Sequence, residues 1–288
     1  MKKHLLFLLI IIFYGCTESN LAFHPRSNPS EGTLELVQTF GGSKNDVAKS
    51  VISTVDGGFA VLGYTQSLDG DITDKATENY DFWMLKFDSE AQLEWNKTYG
   101  GSGDDRGSSL VETSDGGYAL LGYSDSSDGD VSSNNGNRDF WLVKINASGV
   151  LSWQKSFGYE GVDEGVSIIE TSDNHLMLSG VLDVTASGGE GNQGRFSTKH
   201  AGGDYWSIKI TPTGDIVWSR FYGGSFTDSP TGISETLIGG FFYVGGSDSN
   251  DVDISNNKGS YDFWIVKSDR NGDIVWEKSF GGSEIDEA

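Results

Sequence analysis

Short apolar runs, most of them bounded by glycine, recur along the chain. Residues 59–64 and 118–123 each follow an Asp-Gly-Gly turn, a pattern typical of strands that are buried on both faces. In residues 140–145 the side chains that would point to either side of a strand are also mostly apolar. The pattern therefore predicts sheets whose two faces must both be covered.

These runs belong to a unit that occurs four times. Each copy contains the motif Asp-aromatic-Trp, and a second tryptophan follows the first by 12 residues. The pairs account for all eight tryptophans: Trp83 and Trp95, Trp141 and Trp153, Trp206 and Trp218, Trp264 and Trp276. Glycine turns at Gly41, Gly100, Gly158, Gly223 and Gly281 separate the copies by 59, 58, 65 and 58 residues. Large side chains at repeated positions indicate modules that stack on one another.

Four strand-like segments occur in each unit, and we label them a to d. Four antiparallel strands per unit, buried on both faces, predict an all-β, β-propeller-like fold of four-stranded blades. The chain would hold four complete repeats and a partial repeat at each end. The units are too long for a β-helix, and tandem small β-domains are the alternative.

The turn between segments c and d has a glycine in its fourth position in three copies, as in Asn146 to Gly149. A type I turn closed by a left-handed glycine suits a hairpin of this length. Ala91 holds that position in the first copy. We therefore expect this turn to be strained or different.

From residue 34 onwards, Gly-Gly-Ser…Asp, Asp-Gly-Gly-aromatic, Asp-Phe-Trp…Lys and Gly-x-x-x-Trp resemble the tandem repeats of secreted bacterial β-propeller-like proteins. The c–d hairpin is also similar to the turn of quinoprotein and Asp-box propeller blades. That second likeness is limited to Gly-x-x-x-Trp and implies no cofactor or catalytic residue. Residues 34–40 align with a segment d, and residues 281–286 open a fifth unit. Either the ring closes with four blades and a short remnant, or the sequence is incomplete. We expect further repeats after residue 288, because the missing strand would leave an open edge and an uncovered blade face.

The N-terminus predicts export. Residues 1–15 carry two lysines, an apolar run and a small residue, the pattern of a signal peptide. Cys16, the only cysteine, follows at once, which resembles a bacterial lipoprotein signal and implies lipid attachment there. The alternative is an ordinary signal peptide cleaved nearby. Residues 16–32 would form a tether and residues 33–288 the repeat domain. Thr17 favours the outer membrane or cell surface, since lipoproteins retained in the inner membrane carry aspartate there.

The net charge of −22 excludes some partners. Nucleic acids and anionic membrane surfaces require a basic footprint, so neither should bind the repeat domain. The membrane would be reached only through the N-terminal lipid.

Several charged residues recur in every unit. Asp46, Asp105, Asp163, Asp228 and Asp286 follow the glycine turns, and we expect them to accept hydrogen bonds from turn N–H groups. A carboxylate ring holding a cation in a central channel is the alternative. The same reasoning assigns structural roles to the aspartates and lysines of segment c, which are Asp81, Asp139, Asp204, Asp262, Lys86, Lys144, Lys209 and Lys267.

The b–c loops vary between units. Three of them carry closely spaced acids in Gly- and Asn-rich sequence, which could supply oxygen ligands to Ca²⁺: Asp69 and Asp71, Asp128 and Asp130, and Asp251 and Asp253. The bidentate glutamate of an EF-hand loop is missing, and solvated turns are the alternative. The sequence predicts no other cofactor.

The third b–c loop is the longest and carries Arg195, Phe196, Lys199 and His200. A cationic, aromatic-bearing loop on an acidic protein is a candidate ligand contact. An insertion without a partner is the alternative.

Together these features predict an exported lipoprotein that serves as a non-catalytic binding or scaffold module for a glycan or protein at the cell surface. The chain has no nucleophile motif, metal-ligand spacing or phosphate-binding loop. A secreted carbohydrate-active enzyme with paired carboxylates in the propeller funnel is the competing hypothesis. A Ca²⁺-stiffened adhesin is the third.

Overall fold

The computed structural model describes residues 37–192 and 199–286. The chain divides into two units, Met1–Thr39 and Phe40–Ala288, and the second contains all the described strands. Cys16, the signal peptide and the tether lie outside the described residues. Arg195 and Phe196 also lie outside them.

Within the described residues, sixteen strands form four antiparallel sheets, which confirms the all-β class and the four-stranded units. Sheet 1 contains β1 (Asp46–Ser53), β2 (Phe59–Thr65), β3 (Asp81–Phe87) and β4 (Leu93–Tyr99). Sheet 2 contains β5 (Asp105–Glu112), β6 (Tyr118–Ser124), β7 (Asp139–Ile145) and β8 (Leu151–Phe157). Sheet 3 contains β9 (Glu164–Glu170), β10 (Leu176–Asp183), β11 (Gly203–Ile210) and β12 (Ile216–Tyr222). Sheet 4 contains β13 (Asp228–Glu235), β14 (Phe241–Ser247), β15 (Asp262–Ser268) and β16 (Ile274–Phe280).

Each sheet is a meander whose strands pair in chain order. The first strands of all four sheets contain a register shift, and in β13 this bulge lies between Pro230 and Gly232. A proline fits there because a bulge on an edge strand needs no ladder hydrogen bond from it. One short helix, α1 (Val184–Ser187), follows β10. Among the described residues no helix has the length and apolar character needed to cross a membrane.

Consecutive sheets pack face to face through three apolar clusters. An aromatic ring from the third strand of one sheet contacts the first tryptophan of the next sheet. The centroid distances are 4.7 Å for Phe82 and Trp141, 4.8 Å for Phe140 and Trp206, and 4.8 Å for Tyr205 and Trp264. All seven residues of β7 are consequently buried. The first tryptophan of each unit thus has the same packing role at three successive contacts between sheets.

The first tryptophan also has a repeated polar contact. Its indole N–H donates to the side chain 13 residues later, which is Asn96, Gln154, Ser219 or Glu277 in the four sheets. Buried indole N–H groups need such a partner. The residue after the second tryptophan is polar in each unit because it accepts the hydrogen bond of the first tryptophan's indole N–H.

The turn at Ala91 has the same left-handed geometry as its counterparts, although its residue is not glycine. Ala91 has a φ of +60°, while Gly149, Gly214 and Gly272 hold the same position at +77°, +84° and +79°. A Cβ in this left-handed region crowds the backbone. The first copy therefore keeps the turn geometry at the expense of local strain.

Candidate functional site

A set of carboxylates holds the glycine turn at one end of each of three sheets, and we call this arrangement the clasp. In sheet 2, three consecutive turn amides each reach a different aspartate. The N–H groups of Gly100, Gly101 and Ser102 donate to Asp130, Asp105 and Asp128 at 3.2, 2.7 and 2.7 Å.

The same bonds recur in sheets 1 and 4. Gly41, Gly42 and Ser43 donate to Asp71, Asp46 and Asp69 at 2.8, 2.8 and 2.7 Å. Gly223, Gly224 and Ser225 donate to Asp253, Asp228 and Asp251 at 3.4, 2.8 and 2.9 Å. Serine hydroxyls complete the clasps, since Ser126 and Ser249 donate to Asp105 and Asp228.

These bonds place the six acids considered for Ca²⁺ beside the turn amides. Each of the six accepts at least one backbone N–H with one of its carboxylate oxygens. In the described part of the chain, no group of three or more His, Cys, Asp or Glu side chains is arranged to hold a metal ion. The acids and the turns stabilise each other, because the amides at a turn are otherwise unsatisfied donors.

Sheet 3 has a different connection. Its b–c segment carries α1, and Asp163 accepts from the N–H groups of Tyr159 and Asp183, at 2.8 and 2.9 Å. The Asp183 side chain in turn caps α1 by accepting from Ala186 N at 2.9 Å. The insertion predicted from the sequence therefore replaces the clasp of this unit.

Buried carboxyl groups from adjacent sheets meet at the glycine turns. A Cβ added to Gly100 would lie 2.6 Å from Asp81 Oδ1 and 2.8 Å from Asp105 Oδ2, so only glycine fits between them. Burial raises the pKa of Asp105 to about 6, and the charge of Asp81 adds to the rise. Burial also raises the pKa of Asp81 to about 6, against the effect of Lys75, whose Nζ lies 3.0 Å from Asp81 Oδ2.

The equivalent pairs are Asp139 with Asp163 and Asp204 with Asp228, and all four side chains belong to fully buried residues. Burial raises the pKa of Asp163 to about 7 and that of Asp228 to about 6, and the charge of Asp139 adds to the rise at Asp163. Paired carboxylates do exist in this protein, then, but these pairs lie inside the packed sheets. Ionising these buried, neighbouring carboxyl groups is unfavourable, so the pairs destabilise the fold as the pH rises.

His200 forms the polar partner of Asp204. Its Nδ1 lies 2.6 Å from Asp204 Oδ2, its Nε2 lies 3.9 Å from Asp253, and its ring packs edge-on against Phe221 at 4.8 Å. Burial lowers the pKa of His200 and raises that of Asp204 to about 10, so burial favours the neutral forms of both groups. Four residues of this loop were predicted to contact a ligand, and the structure describes two of them. Lys199 is exposed, whereas His200 is buried.

The recurring lysines are bound by recurring acids at the opposite end of the sheets. Lys86, Lys144 and Lys209 form ion pairs with Asp56, Asp115 and Asp173 of the a–b turns, at 2.7, 2.9 and 2.7 Å. In sheet 4 the sequence has Ile238 at the aspartate position. Lys267 instead donates to Ser268 O at 2.8 Å and to Thr236 Oγ1 at 3.5 Å.

This end of the sheets also carries two open grooves, which lie between neighbouring sheets. The first groove separates sheets 1 and 2, and its volume is about 700 Å³. Its lining includes Asp56, Lys86, Glu94 and Trp95 of sheet 1 and Glu112, Ser114, Tyr118, Ala147 and Ser148 of sheet 2. The last groove separates sheets 3 and 4, has a volume of about 630 Å³, and includes the equivalent Asp173, Lys209, Trp218, Glu235, Phe241, Arg270 and Asn271.

The middle junction, between sheets 2 and 3, is nearly closed. Its cavity has a volume of about 50 Å³. Pro212 and Leu176 line it at the positions that Ala147 and Tyr118 hold in the first groove. Three junctions with the same backbone plan thus differ in open volume by more than tenfold.

One hydrogen bond across each junction also differs between the two open junctions and the closed middle junction. Tyr99 and Tyr222 donate their hydroxyls to the turn carbonyls of Gly149 and Gly272 at 2.7 and 2.9 Å. The middle junction has Phe157 at this position, and Lys155 Nζ donates to Gly214 O at 2.9 Å instead. Every junction therefore keeps a donor to the turn carbonyl, but the donor comes from a different side chain.

The grooves are candidate binding features that the sequence alone did not indicate. Each groove combines two sheets, and its lining residues lie far apart along the chain, so their proximity is invisible before the sheets are stacked. A signal did exist, because the second tryptophan pairs across strands with the recurring lysine, as Trp95 does with Lys86. No protein-family model and no curated protein matched this chain when its sequence was compared with them.

Proposed function

We propose that the chain is an exported, lipid-anchored module of β-propeller type that binds or scaffolds a glycan or protein at the cell surface without transforming it. The observation that supports this proposal is the pair of open grooves at equivalent junctions. Each has the volume of a small-ligand site and combines aromatic side chains with a few charged groups.

The roles of the recurring charges also favour binding over catalysis. The clasp aspartates accept hydrogen bonds from turn amides, and three of the recurring lysines are ion-paired. The buried carboxyl pairs lie at the glycine turns, whereas the open grooves lie beside the a–b and c–d turns. The first groove does hold the exposed acids Asp56 and Glu94, but Lys86 Nζ binds both, at 2.7 and 2.8 Å. The hydrogen bond from Lys86 lowers the pKa of Asp56, which makes it a poor general acid.

The experiment is to incubate the purified full-length chain with immobilised glycans and with immobilised surface proteins, and to analyse the ligands afterwards by mass spectrometry. We expect retention on at least one glycan or protein, with every ligand recovered chemically unchanged. Release of shortened glycans would favour the carbohydrate-active enzyme, and retention on neither class would contradict a binding role. Labelling with radioactive palmitate in a bacterial host, with Cys16→Ala as the control, tests the lipid anchor.

A further inference from the structure

We infer that the first and last grooves are subsites for a neutral saccharide chain, with Trp95 as the platform for a sugar ring in the first groove and the exposed Val217, Leu237 and Ile238 as the apolar surface of the last. This inference rests on the proposed binding function and specifies its ligand class. The grooves are equivalent by position in the repeat, yet they differ from the middle junction, so the protein would engage a polymer at two separated places.

The aromatic part of each groove comes from both sheets. Trp95 and Tyr118 have ring centroids 6.3 Å apart, and Trp218 and Phe241 have centroids 6.0 Å apart. Trp218 and Phe241 are only 6% and 1% exposed, so the last groove presents Leu237 and Ile238 to a ligand instead. A pyranose ring has an apolar C–H face that packs on such rings, while its rim carries hydroxyl groups. Trp95 is half-buried and lies beside the turn glycine Gly149, so its indole is held in place by the next sheet.

The polar part of the first groove suits the hydroxyl rim of a sugar. Lys86 Nζ lies 2.7 Å from Asp56 and 2.8 Å from Glu94, which fixes both carboxylates at the groove wall. Their side chains are 54% and 43% exposed, so oxygens remain open to solvent. Carboxylates accept strong hydrogen bonds from hydroxyl donors. Ser148 adds an exposed hydroxyl from the turn of sheet 2.

An extended peptide fits the first groove less well. Strand addition requires backbone donors and acceptors along an unpaired sheet edge. The walls of this groove are turns whose amides are already engaged, since Val55 N donates to Glu112 at 2.8 Å and Gly116 N donates to Thr113 O at 2.8 Å. The groove therefore offers side chains to a ligand rather than a backbone ladder.

Charge decides between neutral and anionic saccharides. The first groove contains three carboxylates, from Asp56, Glu94 and Glu112, and the single ammonium of Lys86. The last groove balances two acids against Lys209 and Arg270. Uronic or sulfated sugars would be repelled from the first groove by the local carboxylates and by the net charge of −22. A neutral saccharide is the class that both grooves accommodate.

The test uses affinity electrophoresis of the full-length chain in gels that contain laminarin, galactomannan or xyloglucan, with polygalacturonate as the anionic comparison. We expect retardation by at least one neutral polysaccharide and none by polygalacturonate. Trp95→Ala in the first groove and Leu237→Ser in the last should each weaken binding, and the double variant should weaken it by at least about tenfold. Trp153→Ala, at the closed junction, is the matched control and should leave retardation unchanged.

A second pair of variants avoids the packed tryptophans. Ala147 is an exposed turn residue, and Ala147→Trp would fill the first groove, whereas Pro212→Trp changes the equivalent turn of the closed junction. We expect weaker retardation for the former and wild-type retardation for the latter, with both melting temperatures near that of the wild type. Equal losses at open and closed junctions, preference for polygalacturonate, or no retardation by any neutral polysaccharide would overturn the inference. Retention on an immobilised protein alone would leave the proposed function standing while overturning the saccharide assignment.

Discussion

The two ends of the sheets use charge in different ways. At the clasp end, Asp105 and Asp228 are buried beside glycine turns and accept bonds from backbone amides. At the groove end, Lys86 and Asp56 also pair, but Glu94 and Trp95 beside them remain partly open to solvent. The clasp end is nearly the same in sheets 1, 2 and 4, whereas the groove end differs from junction to junction.

This difference separates residues that build the module from residues that vary on it. A side chain that satisfies a turn amide is needed in every copy, because the buried donor is costly without it. The residues that line the grooves do not satisfy buried turn amides, so they can differ between sheets. Ala147, Pro212 and Arg270, for example, hold the equivalent position of the c–d turn in sheets 2, 3 and 4. Replacements at the two ends should accordingly affect different properties.

The largest effect is expected from Asp105→Ala. This change leaves the Gly101 N–H and the Ser126 hydroxyl without their acceptor in a buried site. We expect the free energy of unfolding at pH 7 to fall by about 3 kcal/mol, because each orphaned donor costs about 1–3 kcal/mol. Urea unfolding followed by tryptophan fluorescence measures the change. A loss below about 0.5 kcal/mol would show that the clasp contributes little.

The buried carboxyl groups predict a stability maximum in mild acid. The pKa values of Asp105, Asp163 and Asp228 are raised to about 6, 7 and 6 in the folded protein from an ordinary 3.8. Groups with raised pKa values stabilise the fold fully below pH 3.8, and this contribution is lost as the pH rises through 6 to 7.

At the groove end, the effect of pH on stability has the opposite sign. The pKa of Asp115 is lowered to about 2, because Thr113 and Lys144 outweigh the effect of burial, so its contribution is lost as the pH falls from 3.8 towards 2. Thermal melts across pH 2 to 9 should therefore show the highest melting temperature near pH 4, which is about the ordinary pKa of aspartate. Asp163→Asn should reduce the decline between pH 3.8 and about pH 7. A maximum above pH 7 would contradict the account.

A smaller effect, of the opposite direction, is expected from Ala91→Gly. Glycine relieves the strain of the left-handed backbone at φ +60°, although it adds entropy to the unfolded chain. We expect a gain of about 0.5–1 kcal/mol in the free energy of unfolding. Gly149→Ala is the matched reverse change, and it should destabilise, since its Cβ would lie 3.0 Å from the Trp95 ring. A loss of stability in Ala91→Gly would contradict the interpretation that the backbone at Ala91 is strained.

The smallest effect is expected from chelation. Asp69, Asp128 and Asp251 each accept a turn N–H with a carboxylate oxygen, so the clasps hold together through the backbone. We expect the melting temperature of the full-length chain to be the same in EDTA and in millimolar CaCl₂. A rise in CaCl₂ that is abolished by Asp128→Ala would instead support a Ca²⁺-stiffened module.

The sequence predicted the strands and their grouping because the repeat displays the same residues four times. Trp141 and its counterparts indicated faces that need cover, and the left-handed turn at Ala91 followed from its alignment with glycine. The carboxyl pair across Gly100 and the cover that Pro212 provides could not be predicted, since both depend on how neighbouring sheets are spaced. The burial of His200 beside Asp204 was equally hidden, because an unrepeated residue has no aligned copy to interpret it.

The central claim is that the clasp end stabilises the module while the groove end binds a ligand. The most direct test measures stability and saccharide retention for one variant from each end. Asp128→Ala removes the acceptor of the Ser102 N–H at the clasp, and Ala147→Trp fills the first groove at an exposed turn. The account predicts that Asp128→Ala loses about 1 kcal/mol of stability while keeping wild-type retardation. Ala147→Trp should keep wild-type stability while showing weaker retardation. The reverse pattern, or parallel losses in both variants, would contradict it.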